Sequence, residues 1–232
     1  HKEGNVFIHT KNVCNEIIKM KEWKELSFNE KIILYMSALF HDIGKITCTK
    51  IENNEIVSPK HAVRGAKAFR EICYKEYEEK FNISLEMREQ IASLIKYHGL
   101  PLVIKEKNSI DYELIKASEC LNMKLLYMLS KADALGRECY DKELILSKVE
   151  YFKEYSIEIG CFYEKIKFFN EYTRFKYFKD NNNCKQIIFS IYILPIHAWN
   201  IHIFMIFSIR NYSFCSMIID NIFMGAKITI IR

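Results

Sequence analysis

Glycine and proline are scarce in this chain, at 7 and 3 of 232 residues. A chain so poor in turn formers is not built from many short strands, and long helices are the alternative. None of the eight cysteines falls in a CxxC pair. Cys14, Cys73 and Cys120 stand in helical patterns where any small apolar residue would serve, so reduced thiols in a cytoplasmic protein are expected. Charge of one sign is missing too. Lysine and arginine total 34 against 29 acids, a net +5, and the two signs mix along most segments. That balance favours an ordinary solvated surface over a dedicated nucleic-acid patch and licenses only a modest attraction to phosphates, and nothing in it is DNA-specific. No Gly-x-x-x-x-Gly-Lys-Ser/Thr occurs, so ATP is not held by a P-loop. The N-terminus lacks the basic stretch and apolar run of a secretory signal. It begins at His1 rather than Met, which points to a fragment of something longer.

What the chain has is 50% hydrophobic residues, with Leu, Ile, Lys and Glu at three-and-four spacing. One substantial core, mainly α, is expected. Val6, Val13, Ile17 and Met20 predict a first helix with His9 on or near its apolar face. Ser27 and Glu30 form a capping box for a helix that runs to His41 and Asp42, with Gly44 as its stop. Residues 46–57 read as a loop or small hairpin turning at Asn53-Asn54. Ser58-Pro59 reads as an N-cap followed by proline at the first helical position, which places His61 in the first turn of a helix reaching about Tyr74. Ser84 caps a helix that faces Met87, Ile91, Leu94 and Ile95 inward and ends at His98, with Gly99 and Pro101 closing it. Ile110 to Glu119 and Leu121 to about Arg137 form a helical pair, the second carrying Asp133. A last helix spans about Lys142 to Tyr177.

One stretch organises the rest. In Ala38-Leu39-Phe40-His41-Asp42-Ile43-Gly44-Lys45 an imidazole adjoins a carboxylate at the end of an oily helix, and burial of that pair calls for ions or hydrogen bonds. Neighbours on a helix diverge by about 100°, so a shared ion must sit between their faces. His9, His61, His98 and Asp133 each fall near a helix end or on an inward face. Nitrogen and oxygen donors at roughly 2.0–2.2 Å suit a divalent Zn, Mn, Fe or Ni ion, with Mg also admitted. Taken singly, each histidine reads more simply as a hydrogen-bonded or solvent-tipped residue. Lys45, at i+4 from His41, reaches the same mouth. Arg64, at i+3 from His61, and Arg137, at i+4 from Asp133, are further candidates for phosphate, although an ordinary surface cation is the simpler reading of both.

The order H...HD...D, formed by His9, His41-Asp42 and Asp133, resembles the HD superfamily of metal-dependent phosphohydrolases. The resemblance implies an all-α bundle with a metal site at its centre. It also implies that those four residues bind one divalent metal, that His61 and His98 supply a second in dinuclear members, and that Asp42 bridges the two. More narrowly, His1-Lys2-Glu3-Gly4-Asn5-Val6 leading to His9-Thr10, Lys60-His61 with Gly65-Ala66, Tyr97-His98-Gly99-Leu100-Pro101 and Ala132-Asp133-Ala134 resemble the HD domain of bacterial CCA-adding tRNA nucleotidyltransferases. They also resemble HD modules joined to polynucleotide-kinase-like domains. The likeness covers residues 1–140 well and 141–180 loosely. Arg174 to Asp180 looks like the linker that precedes the kinase in such fusions, but no kinase motif follows. The nucleotidyltransferase head is missing as well, so nucleotide addition is not implied and fused domains are expected elsewhere.

The expected activity is hydrolysis of a phosphomonoester or phosphodiester of a nucleotide or RNA end, including 2',3'-cyclic phosphates. The alternative is a non-catalytic metal- or RNA-binding module of a larger RNA-processing enzyme. Residues 1–180 carry this domain. Composition then changes: between Cys184 and Arg232 the sole acid is Asp220. Residues 181–232 read as a hydrophobic tail that is disordered, out of frame or membrane-associated. Ile187 to Ile209 is long enough for a span, but Pro195, His197, Asn200 and His202 interrupt it at a cost. A membrane-tethered phosphohydrolase is therefore a third reading.

Overall fold

A computed structural model of the chain describes residues 6–75, 83–168, 171, 173–174, 177–178, 190–192 and 204–206. The chain divides into two compact units, His1–Asn181 and Asn182–Arg232. In the second unit the described residues are two antiparallel strands, Ser190–Tyr192 and Phe204–Ile206. The rest of the tail, most of the suggested membrane span and the motif residues His1 to Asn5 lie outside the described residues. Among the described residues no helix is long and apolar enough to cross a membrane.

The first unit is the expected all-α bundle. Its helices are α1 (Val6–Lys19), α2 (Lys21–Glu25), α3 (Phe28–Phe40), α4 (Lys45–Cys48), α5 (His61–Lys75), α6 (Leu85–Tyr97), α7 (Leu100–Val103), α8 (Ile110–Cys120), α9 (Met123–Leu135) and α10 (Lys142–Ile159). The capping box is complete at the start of α3: the Ser27 hydroxyl accepts from the Glu30 N–H, and the Ser27 N–H donates back to Glu30. The Ser84 hydroxyl accepts from the Met87 N–H in the same way. α9 runs through the middle, with Leu125, Leu126, Met128, Leu129 and Ala132 all buried. A helix apolar on nearly every side belongs inside. α1, α3, α6 and α10 pack around it, and α5 packs on α6 and α4.

Between α4 and α5, strands β1 (Lys50–Glu52) and β2 (Glu55–Val57) form the small hairpin, with Ile51 opposite Ile56. Asn53 and Asn54 take φ of 51° and 63°, the left-handed pair that a two-residue hairpin loop requires and that asparagine tolerates.

Three sequence expectations are corrected. α3 ends at Phe40, and Gly44, at φ −65°, opens α4 instead of stopping α3. α5 starts at His61, two residues later than the Ser58-Pro59 reading, because Lys60 turns into the left-handed region at φ 60°. The last helix ends at Ile159, where Gly160 at φ 84° supplies a left-handed cap and 161–168 continue without helix. The aromatic run beyond Gly160 kept a helix-like pattern and masked that stop.

Candidate metal centre

Each candidate ligand arrives by a separate local device. His9 is on the inward face of α1, one turn before Val13. His41 caps the C-terminus of α3 and Asp42 follows it into the turn. His61 is the first residue of α5, His98 caps α6, and Asp133 is in the last turn of α9. Five of the six are at most 3% exposed as whole residues: His9, His41, Asp42, His98 and Asp133. The His61 side chain is 28% exposed, so the cluster opens to solvent on that side.

Three histidines are oriented alike. A ring Nδ1–H donates to the carbonyl three residues earlier: His41 to Ala38 at 2.7 Å, His61 to Ser58 at 2.9 Å and His98 to Ile95 at 2.7 Å. A carbonyl can only accept, so Nδ1 carries a proton in each ring and Nε2 is the nitrogen that faces the cluster, with a free lone pair whenever the ring is neutral. Ser130 donates its hydroxyl to the His98 carbonyl at 2.7 Å and ties α9 to the end of α6.

Asp42 is the common member. Its Oδ2 lies 3.4 Å from His41 Nε2 and 3.9 Å from His9 Nε2, and its Oδ1 lies 3.5 Å from His61 Nε2 and 4.0 Å from His98 Nε2. Two sets of donors close enough to hold an ion therefore meet at one carboxylate: His9, His41 and Asp42, and Asp42, His61 and His98. Asp133 Oδ1 is 2.9 Å from His9 Nε2 and 3.9 Å from His41 Nε2. The donor chemistry fits a divalent cation. His41 Nε2 is buried without a hydrogen-bond partner, a costly arrangement for a lone pair unless a cation meets it. His61 Nε2 and His98 Nε2 face each other at 3.3 Å although both rings already donate through Nδ1. Two lone pairs at that separation need a positive charge between them.

Electrostatics agree with ionised carboxylates and neutral imidazole at His98. Burial pushes the Asp42 carboxyl up, but His41, Lys45 and His98 more than offset it and hold it far below the usual range. Burial likewise opposes ionisation of Asp133, and the His9 hydrogen bond with Arg137 and His41 overcomes it. Burial lowers His98 to about 4, and the charge of His41 works in the same direction. His41 moves up: burial disfavours its cation, and the adjoining Asp42 carboxylate 3.4 Å away, with Asp133, outweighs that.

The three cations suggested by spacing differ in place. Lys45 Nζ is 2.7 Å from Asp42 Oδ2 with its side chain 12% exposed, at the mouth of the cluster. Arg137 grips Asp133 with two bonds, Nε to Oδ1 at 3.1 Å and Nη2 to Oδ2 at 2.6 Å. It is thus an orienting partner of the Asp133 carboxylate and not a free phosphate hook. Arg64 is exposed and donates to the Thr47 carbonyl at 3.2 Å, outside the cluster. Sequence reasoning missed Ser130, and it named Gly65 only within a motif, without a role. A glycine inside a helix costs about 1 kcal/mol relative to alanine, and that cost was the available signal that a backbone approaches Gly65 closely.

A helical bundle with this centre has the architecture of a metal-dependent phosphohydrolase. The family model described as HD domain matches residues 6–149, and the chain belongs to that family, within the metal-dependent phosphohydrolase superfamily. No curated protein and no solved structure matches the chain. The narrower likeness to CCA-adding enzymes and kinase fusions therefore rests on the motifs alone.

Proposed function

We propose that the chain hydrolyses a phosphomonoester or phosphodiester of a nucleotide or RNA end, 2',3'-cyclic phosphates included. The observation that carries this reading is the pair of donor triads sharing Asp42, one enclosed and one opening to solvent through His61. His9, His41, Asp42 and Asp133 would hold one divalent ion, and Asp42, His61 and His98 a second, with Mn, Fe, Ni, Zn or Mg as the candidates. Such ions supply Lewis acidity toward phosphoryl oxygens and lower the pKa of water.

The chain's own residues do the rest. The Nδ1–H bonds of His41, His61 and His98 fix which nitrogen each ring presents. Arg137 fixes the plane of the Asp133 carboxylate. Lys45, at the mouth, offers an ammonium to the phosphoryl charge that grows toward the transition state. The preference for nucleotides and RNA ends is supported by the motif resemblance, as is the expectation of partner domains in a longer enzyme. Free thiols at Cys14, Cys48, Cys73, Cys120, Cys139 and Cys161 support a cytoplasmic setting.

A panel of aryl phosphates, nucleotide monoesters and 2',3'-cyclic nucleotides, assayed with Mn or Ni, tests the reading. Turnover of at least one substrate, lost by about a thousandfold or more in Asp42→Ala, is expected. Metal uptake with no turnover on any member contradicts it. RNA binding that survives chelation would then favour a recognition module.

A further inference from the structure

Gly44 has an ordinary backbone conformation, φ −65°, so conformational freedom is not what it provides. A Cβ there would stand 2.0 Å from the His61 carbonyl oxygen, 2.6 Å from the Gly65 nitrogen and 2.9 Å from the His61 carbonyl carbon. All three are backbone atoms, and no side-chain rotation relieves them. At Gly65 a Cβ would meet Ile95 Cγ2 at 3.2 Å and the Gly44 nitrogen at 3.3 Å. The turn after Asp42 and the first turn of α5 therefore touch backbone to backbone, and the peptide in contact is the one that carries His61.

We propose that Gly44 and Gly65 are a positioning pair that sets the Asp42–His61–His98 half of the centre and leaves the His9–His41–Asp133 half alone. Restoring a normal contact after adding a methyl at Gly44 requires a shift of about 1 Å, whereas metal ligation tolerates about 0.2 Å. The yielding partner is α5. Both helices are anchored in the core, α3 through Ile33, Leu34 and Ala38 and α5 through Ala66, Phe69 and Cys73, but the first residues of α5 are not: His61 follows the exposed hairpin and the left-handed Lys60. The enclosed half is built on α1, α3 and α9, none of which carries this contact. A methyl at Gly65 asks only a few tenths of an ångström, so the two substitutions form a graded series.

The ion-counting arm of the test rests on the two-ion reading above, and a second arm does not. Full-length wild type, Gly44→Ala and Gly65→Ala are dialysed against Mn and their metal content is measured. In metal-free samples the ring resonances of His9, His61 and His98 are compared by NMR. The expected result is two ions in wild type, one in Gly44→Ala, and two in Gly65→Ala with the weaker about tenfold looser. His61 and His98 resonances should move in Gly44→Ala while those of His9 stay. Wild-type stoichiometry and unmoved His61 and His98 resonances in Gly44→Ala overturn the proposal. If wild type holds a single ion, the two-ion reading fails and the ring resonances still judge the positioning pair. If Gly44→Ala does not fold, Gly65→Ala decides: unchanged affinity and resonances overturn the proposal, and a loosened second ion with shifted His61 supports it.

Discussion

Asp133 has little freedom left. Arg137 takes Oδ2 and touches Oδ1, and His9 lies 2.9 Å from Oδ1, so one oxygen alone is presented to the cluster. Partners that orient a ligand in this way typically contribute ten- to a hundredfold in metal affinity. Arg137→Met should therefore weaken Mn binding by about that factor, and Arg137→Lys, which keeps the charge but loses the planar fork, should recover little of it. Titration followed by electron paramagnetic resonance measures both. His98 supplies a second check, in metal-free protein. Its folded pKa near 4 lies below the ordinary value near 6.5, so between those limits the unfolded chain takes up a proton that the folded chain refuses. Stability then falls as pH drops from 6.5 to 4, by at most about 1.4 kcal/mol per unit. His41 is shifted the other way, so its contribution is held below pH 6.5 and lost only as pH rises above it. Denaturant midpoints across pH 4–7 should show the loss in wild type and a flatter line in His98→Asn.

Helices with an apolar stripe and a side-chain cap were legible from their own residues. Ser27 with Glu30, Ser84 with Met87, and the Asn53-Asn54 turn each declare themselves within four positions. What failed was decided outside the local window. The start of α5 is displaced because Lys60 is left-handed and the Ser58 carbonyl accepts from both the backbone N–H and the Nδ1–H of His61, which also orients the ring. The role of Gly44 depends on a helix that follows a hairpin. Arg137 was visible at i+4 from Asp133, but spacing does not say whether such an arginine serves the carboxylate or a substrate. Gly160 was a readable stop that the aromatic run obscured. Because it sits at φ 84°, where side chains other than glycine's are strained, Gly160→Ala should destabilise the fold by about 1–2 kcal/mol, measured as a lower chemical-denaturation midpoint.

Six side chains from α1, the end of α3, α5, α6 and α9 meet in one buried cluster because those helices share a core, not because the residues are close in sequence. The order of the histidines and aspartates pointed to a single site, and the fold brings them within a few ångströms of one another. How they divide around Asp42, and which cations attend them, needed the fold. Function follows from one property of the assembled bundle, its capacity to hold a divalent ion at Asp42. Equilibrium dialysis of the purified full chain against micromolar Mn, followed by elemental analysis beside Asp42→Ala, measures it. At least one ion per chain in wild type and none above background in the variant is the predicted result. An Asp42→Ala protein that loads as wild type does, or a folded wild type that takes up no metal, contradicts it.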